Sequence, residues 1–243
     1  MDEYLQTVVM QLNRMFDSQR QAMEQTAKLV ADTVARNGSV FIFGCSHSSI
    51  MAQELFYRAG GFALINPIFA PGLTLETPPV TRTTKFERVS GIAEAVLGES
   101  PIRPGDVLII CSISGRNIVP IEMAQYARNR GIQTVAVTSM DYANTVESRH
   151  PSGGKLHELA DIVLDCCAAP GDAVLEIEGL PVKTAATSTI TSIAMLHPIM
   201  ARAIELLIGG GHAAPVFMSA NVDHGDAHNE NLLKLYRNQI HYL

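Results

Sequence analysis

The sequence predicts a doubly wound α/β fold, a five-stranded parallel sheet flanked by helices on both faces. Three observations predict it. Val40–Phe43, Val107–Cys111 and Thr134–Thr138 are continuous, largely apolar runs rich in β-formers, so both faces of these strands are covered. Each run is followed by a turn and then by a helical stretch, which gives a repeated βαβ rhythm. Gly60–Gly61, Gly131 and Gly209–Gly211 close the helical stretches where such patterns end. Right-handed crossovers then bring every strand C-terminus to one edge, where ligands of such sheets bind.

The elements follow in order. Residues 2–36 contain no Pro or Gly, and Leu5, Val8, Leu12, Met15, Met23, Ala27, Val30 and Val34 recur at helical spacing. This is a long amphipathic helix, ended by Asn37–Gly38, and it needs its own domain or a second subunit to lie on. The first strand ends at Gly44, and a helix is expected over 49–59. Phe62–Ile65 reads as a second strand. Residues 66–85 are proline- and threonine-rich, a long irregular excursion of the kind that is usually functional. A helix is expected over 86–97, then the strand Val107–Cys111, a helix from Ile118 to Arg130, and the strand from Thr134. Ile162–Leu164 is a short last strand. A second long apolar helix spans 183–208, and a polar His/Asn/Asp-rich segment leads to a final helix over 230–240. Residues 211–243 thus form a C-terminal helical segment within one domain of 1–243.

Composition removes several classes. The chain has 243 residues, 47% hydrophobic and 17% charged, which excludes a disordered chain. A chain of this size buries about 70% of its surface on folding and needs no disulfide or metal staple. The apolar stretch ending at Ile208 is interrupted by His197, Pro198, Arg202 and Glu205, and no membrane span is expected. The N-terminus MDEYLQ is not a secretory signal, and the four cysteines lack framework spacing, so the chain reads as reduced and cytoplasmic. A net charge of −6 without a basic cluster excludes a nucleic-acid footprint. A small anion remains compatible, because backbone N–H groups and hydroxyls bind one without net positive charge.

Two strand-to-helix junctions share a composition: FGCSHSS at 43–49 and CSISGRN at 111–117. Each puts small hydroxyl residues just past a buried strand, where the orphan N–H groups and positive dipole end of the next helix face outward. That is the chemistry of a phosphate cradle. It is neither a Walker loop nor a dinucleotide fingerprint, since Gly-Lys-Ser/Thr and Gly-x-Gly-x-x-Gly are absent. Helix capping alone requires one hydroxyl per junction, whereas the second loop supplies Ser112, Ser114 and Asn117.

FGCSHSS followed by CSISGRN resembles the SIS (sugar isomerase) domain family, whose second loop typically reads Ser-x-Ser-Gly-x-Thr; Asn117 stands here in place of the Thr. The resemblance extends over about residues 20–210 and is closest to a bacterial single-SIS-domain group similar to phosphoheptose isomerases. It implies a five-stranded parallel sheet that binds a phosphorylated sugar. Residues Ser46, His47, Ser48, Ser112, Ser114, Gly115 and Asn117 would form the phosphate site, and Thr184, Thr187 and Ser188, at the start of the long helix, would lie near the sugar. Arg82, Lys85 and Lys183 could add positive charge. The implied reaction is aldose–ketose isomerisation, which needs a base near C1/C2 and an acid for the oxygen. Glu178, just ahead of the long helix, and Glu54, on the first crossover helix, are the carboxylate candidates. His224 and His228 are the histidine candidates, in a C-terminal segment that in such enzymes covers the site. Their spacing also admits a metal, although no cofactor is required and helix capping by Asp226 or Asn229 explains the same polarity. The alternatives are a non-catalytic sugar-phosphate sensor and a sugar-phosphate ether lyase. The expected partners are the phosphorylated sugar and further copies of the chain, as a homodimer or homotetramer, with no nucleic acid and no membrane.

Overall fold

With neither Pro nor Gly to interrupt it, helix α1 runs from Asp2 to Ala35. The structure, a computed structural model, describes all 243 residues. Strand β1 (Val40–Gly44) follows, then a 3₁₀ turn (Ser46–Ser48) and α2 (Ser49–Leu55). Next come β2 (Ile65–Ile68), α3 (Thr81–Phe86) and α4 (Ile92–Gly98). The centre of the sheet is β3 (Val107–Cys111), α5 (Ile118–Asn129) and β4 (Gln133–Thr138). Short helices α6 (Met140–Thr145) and α7 (Leu156–Leu159) precede β5 (Ile162–Asp165). A hairpin of β6 (Ala173–Leu175) and β7 (Thr184–Ala186) leads into α8 (Ser188–Gly209), and α9 (Gly225–Leu235) closes the fold.

The five strands are all parallel, as the sequence predicts, and lie in the order β2-β1-β3-β4-β5. Alternate residues serve two cores. Val40, Ile42, Val107, Ile109, Val135 and Val137 meet α1, α2 and α8; Phe41, Phe43, Leu108, Ile110 and Ala136 meet α4, α5 and α7. Each fully buried side chain of this size stabilises the fold by roughly 1.5–3 kcal/mol, which explains why the central strands β1 and β3 carry no polar side chain. Buried Asp106 ties the N-terminal ends of β1 and β3, accepting from the Ser39 N–H at 2.8 Å and the Arg103 N–H at 2.9 Å.

Several element boundaries differ from the sequence reading. The second strand is Ile65–Ile68 rather than 62–65, and Pro67 is tolerated because β2 is an edge strand. The helix expected over 86–97 is split into α3 and α4, with Gly91 at φ 87° starting the second. The long apolar helix begins at Ser188, because 184–186 pair as a hairpin strand. It is long and apolar enough to cross a membrane, but here its Met195, Leu196, Ile199, Ala203 and Leu207 are core residues packed with α1. The last helix is Gly225–Leu235, earlier than expected. The C-terminal segment does not cover the strand C-terminal edge of its own chain. Gln239 and His241 instead bond Gly38 and Ser39, at the N-terminal end of β1, and Asn66 binds both backbones. The second half of α1 buries Ala27, Val30, Ala31 and Val34 in its own core, while Leu5, Val9, Met10 and Phe16 remain exposed.

Candidate functional site

Strand order locates the site. From β1 the chain adds β2 on one side, then returns to add β3 on the other, so the winding reverses between β1 and β3. Gly44 pairs with Cys111 at the C-terminal ends of these neighbouring strands. The two hydroxyl-rich turns therefore leave the sheet side by side at the switch point.

The first turn folds back on β1 so tightly that a Cβ on Gly44 would lie 2.2 Å from the Ser48 carbonyl oxygen. Ser46 has φ 53°, and its N–H donates to the Leu73 carbonyl at 2.7 Å. Thr83 Oγ1 donates to the same carbonyl at 2.9 Å. The 66–85 excursion is thus pinned onto the first turn, which positions the residues that follow it. Ser49 Oγ closes the turn on the Ser46 carbonyl at 2.7 Å.

The second turn is fixed from β4. The Ser112 N–H donates to the Val137 carbonyl, and the Ser139 N–H and Thr138 hydroxyl both donate to the Ile113 carbonyl. Gly115, at φ 60°, packs against Thr138, and its carbonyl accepts from the Leu156 N–H. After this bracing, the hydroxyls of Ser46, Ser48, Ser112 and Ser114 bond nothing in the protein, nor do the N–H groups of Ser114, Arg116 and Asn117. His47 is exposed beside them. Hydroxyls nearby that serve the fold, those of Ser49, Thr138 and Ser139, are engaged. The arrangement offers a set of free donors to an anion.

Charged residues gather at the second turn. The Arg149 guanidinium donates to Asn117 Oδ1 at 2.7 Å, and Glu87 is held beside the same turn by its backbone carbonyl, which accepts from the Val119 N–H at 3.1 Å. Burial raises the Glu87 carboxyl above the ordinary glutamate range; the Asn117 side chain and the charges of Arg88 and Arg149 oppose it. Burial, with Glu87 nearby, pushes the Cys45 thiol well up. Sequence reasoning assigned positive charge to Arg82, Lys85 and Lys183. Lys183 instead pairs with Glu176 at 3.0 Å on the hairpin. Arg88, Arg116 and Arg149 were missed, because they come from three separate segments that only folding unites.

The catalytic candidates separate. Glu178 is exposed in the β6–β7 hairpin loop. Glu54 is half-buried between α2 and α8, where its Oε1 meets His197 Nε2 at 3.1 Å and also pairs with Arg58. This is the only carboxylate–imidazole pair in the structure. Burial and the Arg58 charge lower the His197 pKa, so the imidazole is neutral at pH 7. Sequence reasoning treated His197 only as a break in an apolar run; its i−1 position before Pro198 gave no other signal. His224 is the residue before α9, and His228 Nε2 meets the Val216 carbonyl at 2.9 Å. No three His, Cys, Asp or Glu side chains converge as metal ligands. Thr187 and Ser188 open α8. Their N–H groups cap α8 on Asp172, which also accepts from the Ser188 hydroxyl at 2.6 Å, beside the chain leaving β5. Thr184 lies in β7 rather than in the helix.

This is the fold and edge geometry of a sugar-isomerase domain, and the SIS domain model matches residues 3–139; the chain belongs to that family. Within it, the chain is 43% identical to a UPF0309 protein of Oceanobacillus iheyensis over all of this chain and 99% of that one. It is 41% identical to a UPF0309 protein of Streptomyces avermitilis, covering 99% of this chain and 96% of the relative. Among solved structures, phosphoheptose isomerase GmhA from Neisseria gonorrhoeae superposes with TM-score 0.56 at 18% identity, over 84% of this chain and 96% of that one. The Vibrio vulnificus NanR protein, solved with ManNAc-6P, gives TM-score 0.56 at 18% identity, over 96% of this chain and 69% of that one.

Proposed function

We propose that the protein binds a phosphorylated sugar at the β1–β3 switch point and isomerises it between aldose and ketose forms. The observation that carries this reading is the set of four serine hydroxyls, on two adjacent turns, that bond nothing in the protein. The neighbouring hydroxyls of Ser49, Thr138 and Ser139 are all engaged by the fold, so free donors gathered on one ligand edge are available to an acceptor. Phosphate supplies such acceptors, and hydrogen bonds to a charged group are the stronger kind.

Isomerisation requires a proton to leave C2 of the open-chain aldose and to be delivered to C1, while the oxygens exchange a second proton. No electrons are gained or lost overall. Glu54 and His197 are the pair assigned to this task. Glu54 lies five residues past the start of α2, roughly 8 Å along the helix from the phosphate turn. The carboxylate orients the imidazole, which burial and Arg58 keep neutral and so able to accept a proton.

The test is incubation with a panel of sugar 6- and 7-phosphates in heavy water, followed by mass spectrometry for exchange at C2. Wild type is expected to exchange with at least one sugar. Glu54→Gln and His197→Asn are expected to lose exchange by 10²-fold or more while retaining binding. Binding without exchange across the panel refutes the isomerase reading and leaves a sensor.

A further inference from the structure

The second turn carries a charge cluster that the hydroxyl cradle does not explain. Arg116 lies within the turn. Arg149 is tied to it twice, by its N–H to the Arg116 carbonyl at 2.8 Å and by its guanidinium to Asn117 Oδ1 at 2.7 Å. Arg88 follows directly after Glu87, whose backbone carbonyl accepts from the Val119 N–H at 3.1 Å just past the turn. The three guanidiniums are close enough to disturb one another: burial first, then Arg116 and Arg88, lower the Arg149 pKa.

Their charge is not balanced within the chain. None of Arg88, Arg116 or Arg149 forms an ion pair, although eight are present elsewhere in the structure. Glu87 is the one carboxylate whose charge reaches Arg149. Three positive charges less one negative leave +2 at the ligand edge of a protein whose net charge is −6. Arg116 Nε is also buried without a hydrogen-bond partner. Like charges held together, with a buried donor unused, are unfavourable unless an anion joins them.

We propose that Arg88, Arg116 and Arg149 are ligands of a dianionic phosphate ester at this site, and that Asn117 is the bracket that holds Arg149 rather than a phosphate ligand. The inference rests on the phosphate site proposed above and specifies how that site selects its ligand. The +2 matches a phosphate dianion. An unphosphorylated sugar leaves the guanidiniums uncompensated, so the cluster discriminates on charge as well as shape. The Asn side chain suits the bracket role because its amide oxygen accepts from the Arg149 guanidinium at 2.7 Å. Glu87 opposes the incoming anion.

The experiment is isothermal titration of the full chain with inorganic phosphate at pH 8, at low and physiological salt, with thermal melting to verify each variant's fold. Arg116→Met and Arg149→Met are each expected to weaken phosphate by about 10-fold or more and to flatten its salt dependence. Glu87→Gln is expected to tighten phosphate several-fold, a direction that loss of a merely structural contact would not produce. Wild-type affinity in both arginine variants, with loss in Ser112→Ala/Ser114→Ala, overturns the arginine proposal and leaves the hydroxyl cradle standing. Weaker phosphate binding by Glu87→Gln overturns the charge argument. Wild type that takes up no phosphate at tens of millimolar overturns both the cradle and the cluster.

Discussion

Replacing Ser112 and Ser114 together by alanine removes two hydroxyls that bond no protein atom. If both donate to a phosphate, each is worth about 1.5–3 kcal/mol, the range for hydrogen bonds to charged groups. The pair then contributes about 3–6 kcal/mol, and affinity for a sugar phosphate should fall by roughly 10²–10⁴-fold. Stability should barely move, within about 0.5 kcal/mol, because no protein hydrogen bond is lost. Ser139→Ala is the control. It is fully buried, donates to the Ala168 carbonyl at 2.6 Å, and accepts from the Tyr142 N–H at 3.1 Å. Its removal strands both partners and should cost about 1–3 kcal/mol, or roughly 3–10 °C in melting temperature. Calorimetric titration and differential scanning of the two variants make the comparison. A double variant that binds within threefold of wild type, or melts as low as the Ser139 variant, refutes the assignment of the turn to a ligand.

Three further outcomes are expected. Gly44→Ala should unfold the first turn or destabilise the chain by several kcal/mol, because its Cβ would meet backbone 2.2 Å away; chemical denaturation measures it. Glu87→Gln should raise the melting temperature at pH 8 and lose that advantage toward pH 4. The folded carboxyl titrates above its unfolded value, so the wild type carries no penalty below the unfolded pKa and the full penalty once pH has risen through the folded pKa, and a pH series of melts shows the trend. If the exposed stripe on α1 is the surface for a second copy, Leu5→Asp with Met10→Asp should reduce the apparent mass in gel filtration without loss of helicity; unchanged mass would remove it from that role.

The central strands and their switch-point turns were legible because their signal is local. A buried parallel strand must be apolar at every position, and Val107–Cys111 can be little else. The hydroxyls at 46–48 and 112–114 sit at strand ends, so their place on the ligand edge followed from the fold class. Element boundaries at 62–68, 81–98 and 184–188 were less legible. There the decision lay with edge pairing, a left-handed glycine and hairpin register rather than with periodicity.

The chain's own order of apolar runs and glycines determined the layered sheet and the two serine-bearing turns, since each depends on neighbours a few residues away. Tertiary structure alone decided which distant charges share a space. It brought His197 to Glu54 across 143 positions and Arg149 to Asn117 across 32, while leaving Glu178 on an exposed hairpin and Ser188 capped by Asp172. Local pattern can state that a residue is polar; only the crossing of helices over a sheet states what faces it.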